Sequence, residues 1–362
     1  MRIAILGTRG IPARYGGFET FAEELSVRLA DRGHDVTVYG RDRWVPRGMR
    51  SHRGVGIVRL PAPASKYLET VVHTLFSAAH VVTRGYDIIY ICNSANLPAA
   101  LLLRASGRRI ILNVDGLEWQ RAKWGVAGRT YYRSCAWLAA RSPIEVVTDA
   151  RVIQDHYRTA YDRQTHLFPY GTDLEPLPDD GTLERLGLQP KRYVLYVSRL
   201  EPENNAHVAI DAYARVRSDL PLAVIGDAPH AADYIGQIKQ TRDPRVIFAG
   251  AVYGDGYRVL RSHAAAYVQA TQVGGTHPAL VEAMGYGNAI VANDVPEHRE
   301  VLGDAGLYYR GEDELARLLQ EVLDRPELAA RLGRSARERA RDRYSWDGVT
   351  DAYEAWFHEL LA

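Results

Sequence analysis

Short apolar runs and amphipathic segments alternate along the first half of the chain. Arg2–Leu6 is an apolar run that ends at a glycine, and apolar residues then recur at helical spacing from Phe18 to Leu29. Further runs with strand character are Asp35–Tyr39, Gly56–Leu60, Asp87–Cys92, Arg109–Val114 and Glu145–Thr148. Helical segments separate most of these runs. This alternation predicts a parallel sheet with helices on both faces.

The same alternation restarts in the second half. Its strand-like runs are Tyr193–Val197, Pro221–Ile225, Arg245–Phe248, Ala265–Gln269 and Asn288–Ala292. The segment between the halves, from Phe168 to Asp173, is rich in turn-forming residues and is followed by Pro176 and Pro178. The sequence therefore predicts an α/β protein with two Rossmann-like domains, residues 1–173 and 174–345, and a last helix at about 346–362.

The predicted topology also indicates where ligands bind. In parallel α/β sheets, ligands bind beyond the carboxyl ends of the strands. Two such edges that face each other form a cleft, which suits a reaction between two separately bound substrates. We therefore expect the functional residues in the loops that follow the strands.

Charge is balanced overall but differs between the halves. Of the 362 residues, 46% are hydrophobic and 25% charged, which is typical of soluble globular domains. Residues 1–173 contain 24 Lys+Arg and 15 Asp+Glu, a net charge of +9, and residues 174–362 contain 21 and 29, a net charge of −8. The basic half indicates an anionic partner, such as a phospholipid surface or a phosphorylated acceptor. A drift of surface charge without function is an equally open interpretation.

Other sequence features exclude several classes of protein. Cys92 and Cys135 lack the spacing of a zinc site or a disulfide framework, and the chain contains no Asp-x-Asp or HExxH pattern. The apolar run at the start is too short for a signal peptide, and Val71 to Val82 falls short of the ~20 residues that a spanning helix needs. We expect a cytoplasmic protein with no metal site and no nucleic-acid partner; the oligomeric state stays open.

The loop after the first predicted strand contains two glycine clusters. Gly7 and Gly10 are followed by Gly16 and Gly17, where a helix begins. Glycines in this position let backbone N–H groups approach an anion or a sugar hydroxyl closely. The spacing is not GxGxxG, and the second strand ends in Arg41 instead of an acidic ribose ligand, so a dinucleotide site is not predicted. A turn that needs glycine only for its conformation is the alternative.

Arg199 follows the first predicted strand of the second domain. A guanidinium at that edge can bind a diphosphate through two parallel hydrogen bonds. A surface ion pair with Glu201 or Glu203 is the alternative interpretation.

A Gly-Gly-Thr loop opens a later helix of the same domain. The amides of Gly275, Thr276 and His277 precede Pro278, which suits a first helical turn, so the positive end of the helix dipole is directed to the same edge. Glu282 lies about one turn further along, where a carboxylate can accept the two hydroxyls of a nucleoside ribose. Taken alone, Glu282 is also compatible with a solvated helix residue.

Asp115 ends a predicted strand of the first domain and is followed by Glu118 and Trp119. A carboxylate beside aromatic side chains is a common way to bind a sugar. A helix N-cap is an equally good interpretation of Asp115.

Several of these motifs together resemble the retaining GT-B glycosyltransferases of family GT4. The similar stretches are Tyr196–Glu203, Phe248–Gly250 and Glu282–Gly287, and Pro169–Asp173 is similar to the interdomain hinge of that family. Gly7–Glu19 and Asp115–Trp119 resemble a narrower, DUF1972-type branch that includes bacterial rhamnosyltransferases. The resemblance covers nearly the whole chain.

The resemblance implies transfer of a sugar from a UDP- or dTDP-linked donor to an acceptor hydroxyl with retention, without a metal or other cofactor. It implies cell-surface polysaccharide or glycan assembly as the context; rhamnose is compatible with the narrower branch, and the sequence leaves the identity of the sugar open. The basic first domain favours a polyprenyl-diphosphate-linked sugar as acceptor, at the inner face of the cell membrane. The last helix is expected to cross back onto the first domain.

The resemblance also implies a role for individual residues. Arg199 neutralises the diphosphate, and Asp115 lies near the transferred sugar, where the family more often has His. The implied donor-binding residues are Arg199, Asn204, Gly250, Gly275, Thr276, His277 and Glu282. The implied acceptor-binding residues are Gly16, Gly17, Glu19, Glu118 and Trp119.

Two positions depart from the family pattern. Asn204 stands where the family usually has Lys, and Gly274 stands where it usually has Glu. These departures keep two alternatives open: a sugar-nucleotide epimerase of the same fold, and a non-catalytic nucleotide-sugar-binding subunit.

Overall fold

The computed structural model describes residues 1–65, 68–121, 124–228 and 231–362. Contacts among these residues divide the chain into two units, Met1–Tyr170 with Trp346–Ala362, and Gly171–Ser345. The sequence-based division at Asp173 lies in the same connecting segment.

The described strands of the first unit form one sheet in the order β3-β4-β2-β1-β5-β6-β7-β8. All neighbouring strands are parallel except β3 and β4, which are antiparallel. The strands are β1 (Arg2–Leu6), β2 (Asp35–Arg41), β3 (Ser51–His52), β4 (Val55–Leu60), β5 (Ile88–Cys92), β6 (Arg109–Val114), β7 (Glu145–Thr148) and β8 (His166–Leu167).

Helices connect these strands. They are α1 (Gly17–Asp31), α2 (Glu69–Val82), α3 (Leu97–Ala105), α4 (Val126–Arg141) and α5 (Arg151–Tyr161), with 3-10 helices at Ser94–Asn96 and Glu118–Gln120. The buried side chains of α2 to α5 pack in one apolar cluster and those of α1 in another. The strands are short, apolar and buried, as expected for a parallel sheet covered on both faces.

The described strands of the second unit form a fully parallel sheet in the order β11-β10-β9-β12-β13-β14. They are β9 (Val194–Val197), β10 (Leu222–Ile225), β11 (Val246–Gly250), β12 (Ala266–Gln269), β13 (Ala289–Asn293) and β14 (Leu307–Tyr309). The helices are α6 (Thr182–Arg185), α7 (Ala206–Tyr213), α8 (Ala232–Ile238), α9 (Gly254–Ser262), α10 (Pro278–Gly285), α11 (Pro296–Leu302), α12 (Glu312–Asp324) and α13 (Pro326–Tyr344). A 3-10 helix spans Pro202–Asn204.

The last helix, α14 (Trp346–Leu361), packs in the core of the first unit. The Tyr353 ring stacks on Phe168 with centroids 4.3 Å apart, and its hydroxyl lies 2.8 Å from that of Tyr90. Asn113 Nδ2 donates to the Tyr90 hydroxyl, at 2.6 Å. This buried hydrogen-bond chain joins the end of the sequence to the centre of the first sheet.

Both units are therefore Rossmann-like α/β structures, as the alternating pattern predicts. Among the helices of the described residues, none has the length and apolar character needed to span a bilayer. Parallel pairing places the loops after β1, β2 and β6 at one edge of the first sheet, and the loops after β9 and β12 at one edge of the second.

Candidate functional site

Arg199 lies two residues beyond the end of β9, between the loops that follow β10 and β12. The turn after β10 packs tightly here, because a Cβ on Gly226 would lie 1.8 Å from the Ser198 carbonyl oxygen, and Gly226 has a φ of +145°. The Arg199 side chain is 29% exposed, and Nη2 lies 3.6 Å from Glu201 Oε2. The guanidinium is thus partly open to solvent and lies beside an acidic neighbour.

Asn204 fixes the backbone that carries Arg199. It is buried, and its Nδ2 donates to the Arg199 carbonyl oxygen at 2.7 Å. The Tyr196 hydroxyl donates to the Asn204 carbonyl at 2.7 Å. Next to it, Asn205 Nδ2 donates to Ala270 O at 2.9 Å and ties the loop after β9 to the loop after β12. Asn204, which stands where the family has lysine, thus uses its side chain to bond the backbone of its own loop. A contact between Asn204 and the sugar donor stays a prediction.

The Gly-Gly-Thr loop is largely buried in this structure. Gly275 and Thr276 are buried, Thr276 to 1% exposure, whereas His277 at the start of α10 is partly buried. A Cβ on Gly274 would lie 2.6 Å from His277 Cε1. The carboxylate that the family carries at this position is therefore incompatible with the present place of the His277 ring.

A buried polar network supports this loop from below. Thr271 Oγ1 lies 3.3 Å from His277 Nδ1 and 3.2 Å from His298 Nε2, and Gln269 Nε2 donates to Thr271 Oγ1 at 2.6 Å. His298 Nδ1 lies 2.8 Å from the Asn293 carbonyl oxygen, so this nitrogen carries the proton. Burial lowers the pKa of His298 to about 4. The imidazole is therefore neutral at physiological pH.

Glu282 is held by a buried arginine. Arg261, on α9, is 1% exposed and forms an ion pair with Glu282 Oε2. The Tyr257 hydroxyl donates to the same oxygen at 3.4 Å, and the Tyr257 ring lies 3.4 Å from the Arg261 guanidinium carbon. Glu282 is thus not a solvated helix residue, because Arg261 and Tyr257 hold its carboxylate in one orientation. The pattern search did not identify Arg261, since a single arginine within a helix carries no motif.

Gly250 is the last residue of β11. It is exposed with a φ of +69°, and its carbonyl oxygen accepts from Gly226 N at 2.8 Å. Apart from its two chain neighbours, no described residue has an atom within 4 Å of the position of its missing Cβ. The residue thus presents open backbone at the carboxyl edge, where the resemblance implies contact with the nucleotide.

At the first sheet, Gly16 and Gly17 form the start of α1. The Gly16 carbonyl accepts from the amides of Glu19 and Thr20 at 3.1 and 3.2 Å. Glu19 is buried, and its Oε1 accepts from the Arg9 backbone N–H at 2.8 Å. The structure therefore gives Glu19 the role of anchoring the loop after β1.

Asp115 directly follows β6 and is partly buried. The residue before the next 3-10 helix is Leu117, so Asp115 is not a helix N-cap. Burial raises the pKa of Tyr170, and the Asp115 carboxylate adds to that rise. The negative charge of Asp115 therefore helps to keep the buried Tyr170 hydroxyl protonated.

Glu118 and Trp119 both have internal partners. Glu118 Oε1 lies 2.5 Å from Arg121 Nε, and Trp124 Nε1 donates to Glu118 Oε2 at 3.3 Å. The Trp119 ring is buried and lies 5.5 Å from His156. In this structure both side chains pack within the first unit and do not form an open sugar-binding face. Their contact with the acceptor stays a prediction.

Within the described residues, one group brings three possible metal ligands within 4.8 Å of one another: His34, Glu354 and His358. His34 precedes β2, so this group lies at the amino end of that strand, away from the candidate site. Arg32 and Asp351 join it in a surface ion-pair cluster.

Family models match both units. Residues 16–171 match the glycosyl transferase 4-like domain, and residues 184–339 match the glycosyl transferases group 1 family. Among curated proteins, the chain is 29% identical over 246 residues to a GDP-mannose-dependent phosphatidylinositol monomannoside mannosyltransferase of Mycolicibacterium smegmatis, covering 62% of the chain and 61% of that protein. It is 25% identical to a glycogen synthase of Mycobacterium tuberculosis, covering 97% and 93%.

Solved structures share the fold across the whole chain. A sucrose-phosphate synthase from Thermosynechococcus elongatus superposes with a TM-score of 0.85 at 20% identity, covering 99% of this chain and 98% of that one. Anabaena HepE in complex with UDP-glucose superposes with a TM-score of 0.78 at 21% identity, covering 100% and 99%. At such identity the likeness establishes the fold.

Replacing Glu282 with Ala removes the partner of a buried guanidinium. We expect Glu282→Ala to lower the free energy of unfolding by about 3–5 kcal/mol, because it leaves the charge of Arg261 buried and uncompensated. Asp255→Asn on the neighbouring helix is the control, since Asp255 pairs with Arg258 at 3.4 Å but is largely exposed. Denaturant titration measures both variants; equal stability of the two would contradict the buried pair.

The neutral state of His298 makes stability depend on pH. Unfolding raises its pKa from about 4 to 6.5, so the unfolded chain binds an extra proton between these values and stability falls as pH falls. We expect His298 to lower the free energy of unfolding by about 2 kcal/mol when the pH falls from 7 to 5.

The His298→Gln variant should therefore lose less stability between pH 7 and pH 5 than the wild type. Burial also lowers the pKa of His73, in the first unit, to about 4. Some dependence of stability on pH therefore remains in both proteins. Denaturant titration at the two pH values gives the comparison, and identical pH slopes would refute the assignment.

Proposed function

Because the chain belongs to the GT4-type glycosyltransferases with the GT-B fold, we propose that it transfers a hexose from a nucleoside-diphosphate sugar to an acceptor hydroxyl. The proposed reaction proceeds with retention, requires no metal ion, and serves the assembly of cell-surface polysaccharide. The donor is UDP- or dTDP-linked, and the narrower resemblance indicates rhamnose as the sugar. The acceptor is a polyprenyl-diphosphate-linked sugar at the inner face of the cell membrane.

The position of Arg199 carries this proposal. The arginine is partly exposed at the carboxyl end of β9, and the Asn205–Ala270 hydrogen bond holds its loop against the loop that leads to α10. A guanidinium and a helix amino end at one sheet edge are the two elements that stabilise a leaving diphosphate. Departure of the diphosphate generates oxocarbenium character at the sugar. The acceptor oxygen then bonds to the anomeric carbon, and the leaving phosphate oxygen takes the proton of the acceptor hydroxyl.

Other residues complete the proposed donor site. Arg261 and Tyr257 orient one oxygen of Glu282, and we propose that this carboxylate accepts hydrogen bonds from the hydroxyls of a ribose. Gly250 contributes open backbone for the base. Gly275, Thr276 and His277 are proposed to line the phosphate and the sugar, and Asp115 to contact the transferred sugar.

The uncharged side chain of Asn204 favours a second candidate function, binding of a nucleotide sugar without catalysis. No positive side chain stands at that position to assist the leaving group, which suits a subunit that binds nucleotide sugars without transferring them. A thermal-shift panel of nucleoside diphosphates and their sugars, including GDP-mannose, identifies the donor, since binding raises apparent stability. Donor binding without transfer favours the second candidate, and conversion of the donor alone favours an epimerase.

Arg199→Gln should reduce kcat/KM for transfer by at least ~100-fold, corresponding to ~2.7 kcal/mol of lost transition-state stabilisation. Arg192→Gln is the matched control, because Arg192 lies on the surface, paired with Asp219. Steady-state kinetics with the donor found in the panel give the result. Activity of Arg199→Gln within a few-fold of the wild type would remove Arg199 from the mechanism.

Membrane contact is proposed to occur through α4. This helix exposes Val126, Tyr131, Trp137 and Leu138 beside Arg129, Arg133 and Arg141, and it contains no acidic residue. Apolar and basic side chains on one helix suit the surface of an anionic bilayer.

Binding to liposomes with anionic lipids should therefore weaken steeply between low and high salt. Sedimentation of the protein with the vesicles measures the bound fraction. Trp137→Ser should weaken binding, whereas Tyr253→Ser, at a similarly exposed aromatic residue of the second unit, should not. Absent or salt-independent binding would contradict the proposed contact.

A further inference from the structure

Two arginines converge at the carboxyl edge of the first sheet, among residues that carry no role in the reaction above. Arg41 is the last residue of β2, and its backbone N–H donates to the carbonyl of Arg9, in the loop after β1, at 3.0 Å. The approach requires Gly10, with a φ of +108°, because a Cβ there would lie 2.8 Å from Gly40 Cα and 2.6 Å from Val45 Cγ2.

Both guanidinium groups contact one carboxylate. Glu69 is the first residue of α2; its Oε2 lies 3.0 Å from Arg41 Nη1 and 3.8 Å from Arg9 Nη2. Arg41 Nη2 also donates to Thr70 Oγ1 at 3.0 Å. Two cations thus share the negative charge of Glu69 at the amino end of a helix.

Aromatic side chains cover the Arg9 guanidinium. Its central carbon lies 3.3 Å from the centroid of the Tyr15 ring and 4.8 Å from that of Trp44. Trp44 Nε1 donates to Glu69 Oε1 at 3.2 Å. The Arg9 side chain is 19% exposed and that of Arg41 only 3%, so the cluster is buried on one side and reaches solvent on the other.

The donors of this cluster exceed its acceptors. The Nε atoms of Arg9 and Arg41 are buried without a hydrogen-bond partner in the described part of the chain. Burial lowers the pKa of Arg41, Arg9 adds to this effect, and Glu69 and Glu19 oppose it. Glu19, however, is bound to the backbone N–H of Arg9. Each guanidinium offers five N–H donors, and buried donors without partners cost free energy that a further anion would recover.

We propose that Arg9 and Arg41 bind a phosphate or diphosphate group of the acceptor substrate, and that Glu69 is the internal counterion that this group replaces. A structural ion pair accounts for one arginine against Glu69, but not for a second guanidinium beside the same carboxylate. Two guanidinium forks at one point match the geometry of phosphate oxygens. The identity of the anion as part of an acceptor rests on the proposed function; the anion site itself does not.

Calorimetric titration of the full chain with inorganic pyrophosphate tests the site, in an Arg199→Gln background that weakens the donor site. We expect saturable binding that Arg9→Gln and Arg41→Gln each weaken at least about tenfold, as expected for loss of a charge-assisted contact. Arg43→Gln, two positions after Arg41 and exposed, is the matched control and should leave binding unchanged.

Glu69→Gln distinguishes an anion site from a structural cluster by the sign of its effect. Glutamine keeps an acceptor for Trp44 Nε1 but removes the competing charge, so pyrophosphate should bind about threefold more tightly. A structural role for the cluster predicts unchanged or weaker binding. The proposal is overturned if Glu69→Gln leaves pyrophosphate binding unchanged or weakens it, or if Arg9→Gln leaves it intact, even where Arg41→Gln fails to fold.

Farnesyl diphosphate and farnesol distinguish the source of the phosphate. Tighter binding of farnesyl diphosphate than of pyrophosphate, with no binding of farnesol, identifies a lipid-linked diphosphate; equal binding of the two diphosphates identifies a soluble phosphate ester. Either result supports the site if it depends on Arg9. If no nucleoside diphosphate binds in the thermal-shift panel, the transferase proposal fails while the pyrophosphate titrations still decide the anion site.

Discussion

Parallel strand pairing is the constraint on which both candidate sites depend. It brings the carboxyl ends of the parallel strands to one edge of each sheet, so residues far apart in the chain become neighbours. In the second unit, β9 and β12 lie side by side, and the Asn205–Ala270 hydrogen bond joins their loops. In the first unit, the pairing of β1 with β2 allows Arg41 to bond the backbone of Arg9.

Buried arginine–glutamate contacts recur at both edges. In the second unit, Arg261 orients Glu282. In the first unit, Arg41 and Arg9 share Glu69. Such pairs contribute little net stability, because desolvation offsets their attraction, but they hold a charged group in one orientation. At Glu282 the group held is an acceptor of hydrogen bonds, and at Arg9 and Arg41 it is a pair of donors. The two groups are thus suited to different partners: the Glu282 carboxylate to hydroxyl groups, and the Arg9 and Arg41 guanidinium groups to anions.

The two departures from the family pattern are accommodated locally. Asn204 bonds the carbonyl of Arg199, a contact that fixes the very residue assigned to the diphosphate. Gly274 leaves the space that the His277 ring occupies above the network of Thr271 and His298. Each position therefore has a structural reason for its residue.

The sequence by itself determined the alternation of strands and helices, the division into two α/β units and the loops that follow β1, β6, β9 and β12. These properties follow from local periodicity and turn residues, which neighbouring positions encode. Only the tertiary structure decided which side chains in those loops are open and which are buried. The sequence suggests Trp119 and Glu118 as sugar contacts, but both side chains pack inward. Arg9 and Arg41, in contrast, meet at the edge of the first sheet, and Arg261 is a buried partner of Glu282, although no motif assigns a role to any of the three. Burial and charge pairing arise from contacts between distant segments, and no local pattern in the chain records them.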